Sequence, residues 1–356
     1  MKKICFLIGN INHSGGTERV TTLIANKLAI DNQIFILSLS CGNNPFFEQE
    51  STIINSSLFT ETISMKTHFL SAISKIRKYL IHNKIDTLIV VDSISCVFTV
   101  PACYGLKINH ICWEHFNLKV NLGSRFRDIG RWMAANWCDS IITLTERDKG
   151  FWDERFNLGH SGKVIAIANP SPYELQDNQP SLEDKSILCV GRLTYQKGFD
   201  LLIPAWAKIF SQLPGWKVTI VGSGEDEQML KKMAESLGVT ESIIFAGQQK
   251  DMDQFYRKAS FFCMSSRFEG LPMVLLEAQS YGLPIVAFDC DTGPSELVCV
   301  GTGMLIPKDN IPKLAKVILD MANMDTQTYE KMSSNAFISA NAFSLDKIYL
   351  SWVKII

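Results

Sequence analysis

The chain has 356 residues, of which 46% are apolar and 20% are charged, against a charged share of about 25% in average soluble proteins. This length favours two domains, and the apolar content excludes disordered, collagen-like and low-complexity chains. The formal net charge of −1 gives no sign of a nucleic-acid partner, so none is expected. Residues 1–170 nevertheless contain 18 Lys and Arg against 14 Asp and Glu, which indicates weakly that this half contacts something anionic.

The ten cysteines include no Cys-x-x-Cys pair, which argues against structural zinc and against a disulfide framework. The first apolar run, Ile4–Ile8, is short and has no A-x-A cleavage signal, so it predicts a β-strand rather than a signal peptide. No stretch reaches the roughly 18–20 apolar residues that a membrane-spanning helix needs. We therefore expect a cytoplasmic protein.

Short apolar runs alternate with helical patterns along the whole chain. The first half predicts strands at Ile4–Ile8, Ile34–Leu39, Asp86–Val91, Ile108–Cys112, Ser140–Leu144 and Lys163–Ala168, with intervening helices at about Val20–Leu28 and Phe69–Leu80. The second half predicts strands at Ser186–Val190, Lys217–Val221, Ser242–Phe245, Ser260–Met264, Pro284–Phe288 and Gly303–Ile306. Such runs, separated by helices, are typical of parallel sheets that are covered on both faces.

A polar, proline-containing stretch interrupts this rhythm and indicates a domain boundary. We predict an N-terminal Rossmann-like domain at 1–170, a linker at 171–185, a C-terminal Rossmann-like domain at 186–343, and a helix at 344–356 that can pack back on the first domain. The predicted fold class is therefore α/β, with two doubly wound domains facing a central cleft. Sheets of this kind bind ligands at the carboxyl ends of their strands.

Three segments at predicted strand ends carry candidate binding residues. Gly15 and Gly16 open a helix, where the backbone can approach a phosphate or a sugar, although an ordinary tight turn fits them equally well. They do not form G-x-G-x-x-G, so the pattern argues against a nicotinamide cofactor. Arg192 and Lys197 lie in a glycine-flanked loop and suit a diphosphate, although two loop cations are more often solvated surface.

The third segment is the predicted helix that begins near Pro272 and ends at Gly282. The amides of Gly270 and Leu271 precede this helix, where the helix dipole favours an anion. Glu269 lies just before the helix and Glu277 lies inside it. The alternative interpretation is structural, with one carboxylate stabilising the helix start and the other exposed.

These segments resemble family 4 of the glycosyltransferases, a family of retaining enzymes with the GT-B fold. The resemblance covers nearly the whole chain. Glu269 and Glu277 match the pair of glutamates of that family, which implies that the first lies near the donor sugar and the second binds ribose. Arg192 and Lys197 match the diphosphate-binding segment. The Gly15–Gly16 turn matches a donor or acceptor contact of the N-terminal domain. Residues 113–117 match a segment whose histidine, here His115, faces the donor sugar.

The resemblance implies an α-forming transfer of a hexosyl or N-acetylhexosaminyl unit, with galactose or N-acetylgalactosamine as the best guess. The implied donor is a UDP-sugar, and the implied acceptor is a lipid-linked oligosaccharide at the inner face of the cytoplasmic membrane, as in O-antigen or capsule synthesis. No cofactor is implied beyond the donor substrate. A UDP-sugar epimerase and a non-catalytic glycan-binding protein are the alternatives.

Two further patterns bear on partners. Asp289-Cys-Asp291 and Asp251-Met-Asp253 spell a D-x-D motif, but no further acidic or histidine cluster accompanies either pair, so we predict metal-independent catalysis. Arg125, Arg127 and Arg131 lie in a basic amphipathic stretch that predicts contact with the acceptor's membrane. An ordinary surface helix, with its apolar side in the core, is the alternative.

Overall fold

The computed structural model describes residues 1–62 and 64–356, which divide into two compact units. Unit 1 contains Met1–Pro172 and Leu345–Ile356, and unit 2 contains Tyr173–Ser344. The chain therefore forms most of unit 1 first, then the whole of unit 2, and its last helix belongs to unit 1 again. Among the described residues, no helix is both long enough and apolar enough to cross a bilayer.

Unit 1 is built on a parallel sheet with the strand order β3-β2-β1-β4-β5-β6-β7. The strands are β1 (Lys3–Ile8), β2 (Gln33–Ser40), β3 (Ile54–Phe59), β4 (Thr87–Val91), β5 (Asn109–Trp113), β6 (Ser140–Thr143) and β7 (Val164–Ala166). The helices are α1 (Gly16–Leu28), α2 (Met65–Asn83), α3 (Cys96–Cys103), α4 (Arg125–Trp137), α5 (Glu146–Phe156) and, after unit 2, α13 (Leu345–Val353).

Unit 2 is built on a second parallel sheet with the order β10-β9-β8-β11-β12-β13. The strands are β8 (Ser186–Val190), β9 (Lys217–Val221), β10 (Ile243–Gly247), β11 (Phe261–Met264), β12 (Ile285–Asp289) and β13 (Gly303–Pro307). The helices are α6 (Phe199–Ala207), α7 (Glu227–Ser236), α8 (Asp253–Arg257), α9 (Met273–Ser280), α10 (Pro294–Leu297), α11 (Ile311–Ala322) and α12 (Thr326–Ala342).

Both sheets are doubly wound, which confirms the predicted fold class for each unit. Central strands such as β4 are buried along their whole length, as strands covered by helices on both faces must be. The strand order reverses between β1 and β4 in unit 1 and between β8 and β11 in unit 2. At such a reversal the flanking loops diverge and leave a crevice at the carboxyl ends of the strands.

The strand β3 was not predicted from the sequence. Its residues, Ile54–Phe59, include one asparagine and two serines, and Ile54 is 41% exposed. β3 lies at the edge of the sheet, where one side of the strand meets solvent and a continuous apolar run is not needed.

The helix α13 packs within unit 1. Trp352 is fully buried and makes an edge-to-face contact with Trp113 at 4.7 Å between ring centroids. Lys27 of α1 forms an ion pair with Asp346 at 2.6 Å. Asn109 Nδ2 donates to the carbonyl oxygen of Ile355 at 2.9 Å. This segment therefore contributes directly to the core of the first sheet.

Candidate active site

In unit 2, the loops that follow β8 and β11 lie beside each other, because these strands are neighbours at the point where the strand order reverses. Lys197 from the first loop donates from Nζ to Glu269 Oε1 of the second at 2.7 Å. Gln196 Nε2 donates to the carbonyl oxygen of Phe268 at 3.0 Å. Glu269 is 7% exposed. Lys197 and Glu269, which were selected from separate sequence motifs, are therefore in direct contact.

Glycines allow these loops to approach so closely. Gly198 has φ +64°, and a Cβ built there would lie 2.1 Å from the carbonyl oxygen of Ser265. A Cβ on Gly222, the residue after β9, would lie 2.0 Å from the carbonyl oxygen of Gly191. Any larger residue at either position would push the loops apart.

The guanidinium of Arg267 links the same two loops. Arg267 donates from its two Nη atoms to the two carboxylate oxygens of Asp200, at 2.8 and 2.6 Å, and its Cζ lies 4.1 Å from the ring centre of Tyr195. A bidentate pair of this kind fixes orientation as well as distance. Arg192, the other predicted diphosphate ligand, lies at the exposed part of the first loop.

The predicted helix after Glu269 is α9, which begins at Met273 with Pro272 at its N-cap, one residue later than expected. Gly270 and Leu271 precede it. Thr292 Oγ1 donates to the carbonyl oxygen of Glu269 at 2.6 Å and holds this entry to the helix.

Glu277, the predicted ribose ligand, is 6% exposed inside α9. Tyr256 donates its hydroxyl to Glu277 Oε2 at 2.6 Å, and its ring stacks on Tyr281 with centroids 5.0 Å apart. The carboxylate is therefore oriented by a tyrosine that is itself held by stacking. Tyr256 could not be selected from the sequence, since no neighbouring residue marks it as a site residue.

In unit 1, the Gly15–Gly16 pair forms the turn between β1 and α1. Gly15 is the N-cap, with φ −78° and ψ 166°, and Gly16 is the first residue of the helix. Both are exposed. This confirms the turn, and the donor or acceptor contact stays a prediction.

His115 follows β5 and is 8% exposed. Its ring centroid lies 4.4 Å from that of Trp113. The pKa of His115 is lowered to about 4, mainly because the ring is buried; the Glu114 carboxylate opposes this change and the Arg127 charge adds to it. The imidazole is therefore neutral near pH 7. Its Nε2 is buried and finds no hydrogen-bond partner among the described residues.

The carboxylate of the neighbouring residue, Glu114, is fully buried and accepts three hydrogen bonds. Oε2 accepts from Ser93 Oγ at 2.5 Å and from Arg131 Nε at 2.9 Å, and Oε1 accepts from Phe116 N at 3.0 Å. Burial raises the pKa of Glu114, but Arg131 and Arg127 outweigh this effect and leave the pKa below its usual value. Glu114 therefore stays ionised in the interior.

The structure corrects the membrane role predicted for Arg127 and Arg131. Both lie on one face of α4, as their spacing indicates, but they are only 6% and 1% exposed. Gly130 lies between them, and a Cβ there would lie 2.2 Å from the carbonyl oxygen of Ser93. The helix therefore approaches the sheet with its arginine face inward. Arg125 is exposed, so the correction does not extend to it.

Across residues 1–62 and 64–356, no three His, Cys, Asp or Glu side chains are grouped to hold a metal ion. In the second D-x-D pair, Asp253 accepts from Arg257 Nε at 2.7 Å and from the Tyr281 hydroxyl at 2.9 Å. Metal-independent catalysis remains a prediction.

Comparison with known proteins decides the family. Residues 14–170 match the family described as Glycosyltransferase Family 4, and residues 173–338 match Glycosyl transferases group 1. An uncharacterized glycosyltransferase of Haemophilus influenzae is 37% identical over 354 residues, which are 99% of this chain and 99% of that protein. The chain is a family 4 glycosyltransferase.

Two further proteins are similar to this chain over nearly its whole length. The GalNAc-alpha-(1->4)-GalNAc-alpha-(1->3)-diNAcBac-PP-undecaprenol alpha-1,4-N-acetyl-D-galactosaminyltransferase of Campylobacter jejuni is 27% identical over 364 residues, covering 100% of this chain and 98% of that one. A crystal structure of HepE from Anabaena in complex with UDP matches with a TM-score of 0.80 and 18% identity, covering 99% of both chains. The glycosyltransferase thus has the GT-B fold.

The two family matches together include every residue predicted for the site. Motif spacing selected Lys197, Glu269 and Glu277 as candidate site residues of this glycosyltransferase, and their roles stay predictions. It missed the groups that hold them in place, such as Gln196, Tyr256 and Thr292. These residues are ordinary polar residues in the sequence, and only the packing of distant loops reveals their contacts.

Proposed function

We propose that this glycosyltransferase moves a hexosyl or N-acetylhexosaminyl unit, specifically galactose or N-acetylgalactosamine, from a UDP-sugar to a lipid-linked oligosaccharide. The transfer retains the anomeric configuration and forms an α linkage, in the assembly of a surface glycan of the O-antigen or capsule type. The observation that carries this proposal is the Lys197–Glu269 pair, 2.7 Å apart where the strand order of unit 2 reverses.

The proposed chemistry is front-face substitution. The acceptor hydroxyl oxygen forms a bond to the anomeric carbon while the bond from that carbon to the diphosphate oxygen breaks, and the hydroxyl proton passes to the departing diphosphate. Lys197 and Arg192 stabilise the charge that develops on the diphosphate, which is where preorganised cations accelerate a reaction most. Glu277 binds ribose.

Glu269 and His115 act on the sugars in this proposal. Glu269 lies beside Lys197 and accepts hydroxyl hydrogen bonds from the donor sugar. His115 is neutral near pH 7 and its Nε2 has no partner among the described residues, so it can form a hydrogen bond with a sugar hydroxyl. Buried polar groups without partners are uncommon in proteins, which supports a ligand contact for this atom.

The donor and acceptor classes have support from two proteins that this chain resembles. The HepE structure contains UDP, and the acceptor in the name of the C. jejuni relative is attached to undecaprenol through a diphosphate. For the present chain we propose a lipid-linked acceptor and a peripheral position at the inner face of the membrane. The exposed Trp132 and Trp137 of α4 support a membrane contact, since indole rings favour the bilayer interface.

The experiment is a panel of UDP-sugars assayed with and without a lipid-linked oligosaccharide. We expect one sugar to be transferred to the acceptor with an α linkage, and only slow donor hydrolysis when the acceptor is omitted. An epimerised UDP-sugar in the acceptor-free reaction would support an epimerase instead. Transfer of a sugar from another nucleotide, but from no UDP-sugar, would overturn the donor assignment while keeping the enzyme class.

A further inference from the structure

A buried guanidinium ties together the two ends of the segment that carries His115. Arg131 donates from Nε to Glu114 Oε2, from Nη1 to the carbonyl oxygen of Leu118, and from Nη2 to that of Asn117, each at 2.9 Å. Arg131 is 1% exposed. Residues 114–118 therefore form a loop whose shape matches the fixed fork of an arginine.

A second arginine of α4, Arg127, contacts the same loop and also binds the residue that follows β4. Arg127 donates to the two carboxylate oxygens of Asp92 at 2.5 and 2.9 Å, and its Cζ lies 4.6 Å from the ring centre of Phe116. Asp92 has φ +78°, a conformation that costs a non-glycine residue free energy. The surrounding contacts hold this strained turn in place next to the loop.

Stability alone is a weak reason for this arrangement. Burying charges removes them from water, and a buried ion pair often contributes little more than a well-packed apolar contact would. Three charged residues are nevertheless buried at this loop of five residues: Arg131, Arg127 and Glu114, the last of which is part of the loop. The second residue of this loop is His115, whose Nε2 is buried and finds no partner within the described part of the chain.

We propose that Arg131 is a positioning residue, which holds the His115 imidazole where it hydrogen-bonds a hydroxyl of the bound sugar. This inference rests on the proposed function. Arg131 acts through His115 and does not touch substrate. The positive charge of Arg131 is not sufficient for this role, because the loop presents three acceptors to one planar guanidinium. A lysine ammonium cannot reach the carboxylate and both carbonyl oxygens at once.

The test variant is Arg131→Lys, which keeps the charge and removes the fork. The matched control is Arg77→Lys in α2, because Arg77 Nη1 donates to the carbonyl oxygens of Ala102 and Tyr104 at 2.9 and 2.7 Å, at the end of α3 rather than beside His115. Thermal unfolding of both variants measures the cost in stability. The Arg77 variant is expected to keep the kcat/KM of the unmodified enzyme.

The first readout needs no activity. The His115 titration, followed by NMR of the imidazole, is expected to move from a pKa of about 4 towards the ordinary value in Arg131→Lys, because a loosened loop admits water to the ring. The Glu114 and Arg127 charges stay in place, so a change in pKa reports hydration of the ring. The Arg77 variant is expected to leave this titration unchanged. An unchanged His115 titration in Arg131→Lys would overturn the proposal.

The second readout is a double-mutant cycle on transfer. Arg131→Lys is expected to lower kcat/KM by about 10²-fold, the effect of misplacing a group by roughly 1 Å. In a His115→Ala background the same change is expected to cost at most about twofold, because the group it positions is already gone. A full 10²-fold loss in that background would show that Arg131 acts elsewhere, and would also overturn the proposal.

A milder variant keeps the test decisive if Arg131→Lys does not fold. Ser93→Ala removes the hydroxyl that donates to Glu114 at 2.5 Å, and it is expected to lower kcat/KM and raise the His115 pKa in the same direction by smaller amounts. If the unmodified enzyme transfers sugar from no UDP-sugar, the proposed function fails. The NMR titration then still decides whether Arg131 positions the imidazole.

Discussion

At the scale of residues, the Lys197–Glu269 contact shows how the enzyme keeps a cation in a nearly buried loop. The side chains of Lys197 and Glu269 are only 17% and 7% exposed. An unpaired ammonium in such surroundings would be costly, and the carboxylate offsets this cost. A diphosphate that reaches Lys197 therefore meets an ammonium that is already fixed in position.

Replacing Lys197 by alanine is expected to lower kcat/KM for transfer by about 10²–10³-fold, the usual effect of removing one charge-stabilising donor. The control is Lys231→Ala, which breaks an ion pair of similar length, 2.6 Å to Glu227, on the exposed face of α7 in the same unit. Steady-state kinetics and thermal unfolding measure both variants. A Lys197 variant that transfers sugar at nearly the unmodified rate would remove this residue from the proposed site.

A site residue can be selected from the sequence when its role depends on the chemistry of its own side chain. It cannot be selected when its role depends on which residue packs beside it. Lys197, Glu269 and Glu277 are charged residues at fixed spacing and could be selected from the sequence. Tyr256 could not, because its contact with Glu277 depends on how α8 packs against α9. Steady-state kinetics of the Lys197 variant test the role that the motif implies for this residue.

At the scale of elements, α4 presents two different faces. Arg127 and Arg131 lie inward, whereas Ile129, Trp132 and Trp137 are 46%, 51% and 52% exposed. The helical period predicted that the arginines share a face, but a period does not say which face meets the core. Apolar residues usually mark the buried side, and Phe126 and Met133 of α4 do pack against the core. The arginines also lie inward because Glu114 and Asp92 supply carboxylate partners for them.

The exposed face of α4 is the predicted site of the proposed contact with a bilayer. Trp132 and Trp137 contact each other at 5.0 Å between ring centroids. A cavity of 670 Å³, lined in part by Val100, Leu106 and Met133, opens beside Trp137. Replacing both tryptophans by serine is expected to reduce binding to anionic liposomes severalfold, as measured by co-sedimentation, because interfacial indoles are lost.

The control for this experiment is another aromatic pair of unit 1. Phe46 is 51% exposed and contacts Phe47 at 5.1 Å between ring centroids, so Phe46→Ser removes a similar exposed ring. This variant is expected to bind liposomes as the unmodified protein does. Equal recovery of the tryptophan variant and the unmodified protein in the supernatant would contradict a membrane contact through α4.

At the scale of the whole molecule, the alternation of strands and helices was enough to predict two doubly wound sheets. The predicted strands agree with the observed ones within a few residues, because buried parallel strands must be apolar along their length. The edge strand β3 escaped prediction because Asn55, Ser56 and Ser57 lie in its centre. Periodicity therefore locates the central strands of this fold better than its edges.

Catalysis is expected to continue after exhaustive treatment with a chelator. Lys197, Arg192 and the helix start at α9 can supply the positive charge that a metal ion would bring to the diphosphate. The assay compares initial rates before and after chelation, with magnesium or manganese added back to a third sample. Activity that disappears and returns with either ion would overturn this expectation and assign the diphosphate contact to a metal.

The return of α13 to unit 1 has a consequence for protein synthesis. Trp352 packs against Trp113, and Trp113 in turn contacts His115. The ribosome makes residues 345–356 only after the whole of unit 2. At about 5–20 residues per second, that unit takes on the order of ten seconds or more to translate. During this interval the nascent first sheet lacks its last helix, and the Trp113 ring is without one of its aromatic neighbours until translation reaches Trp352.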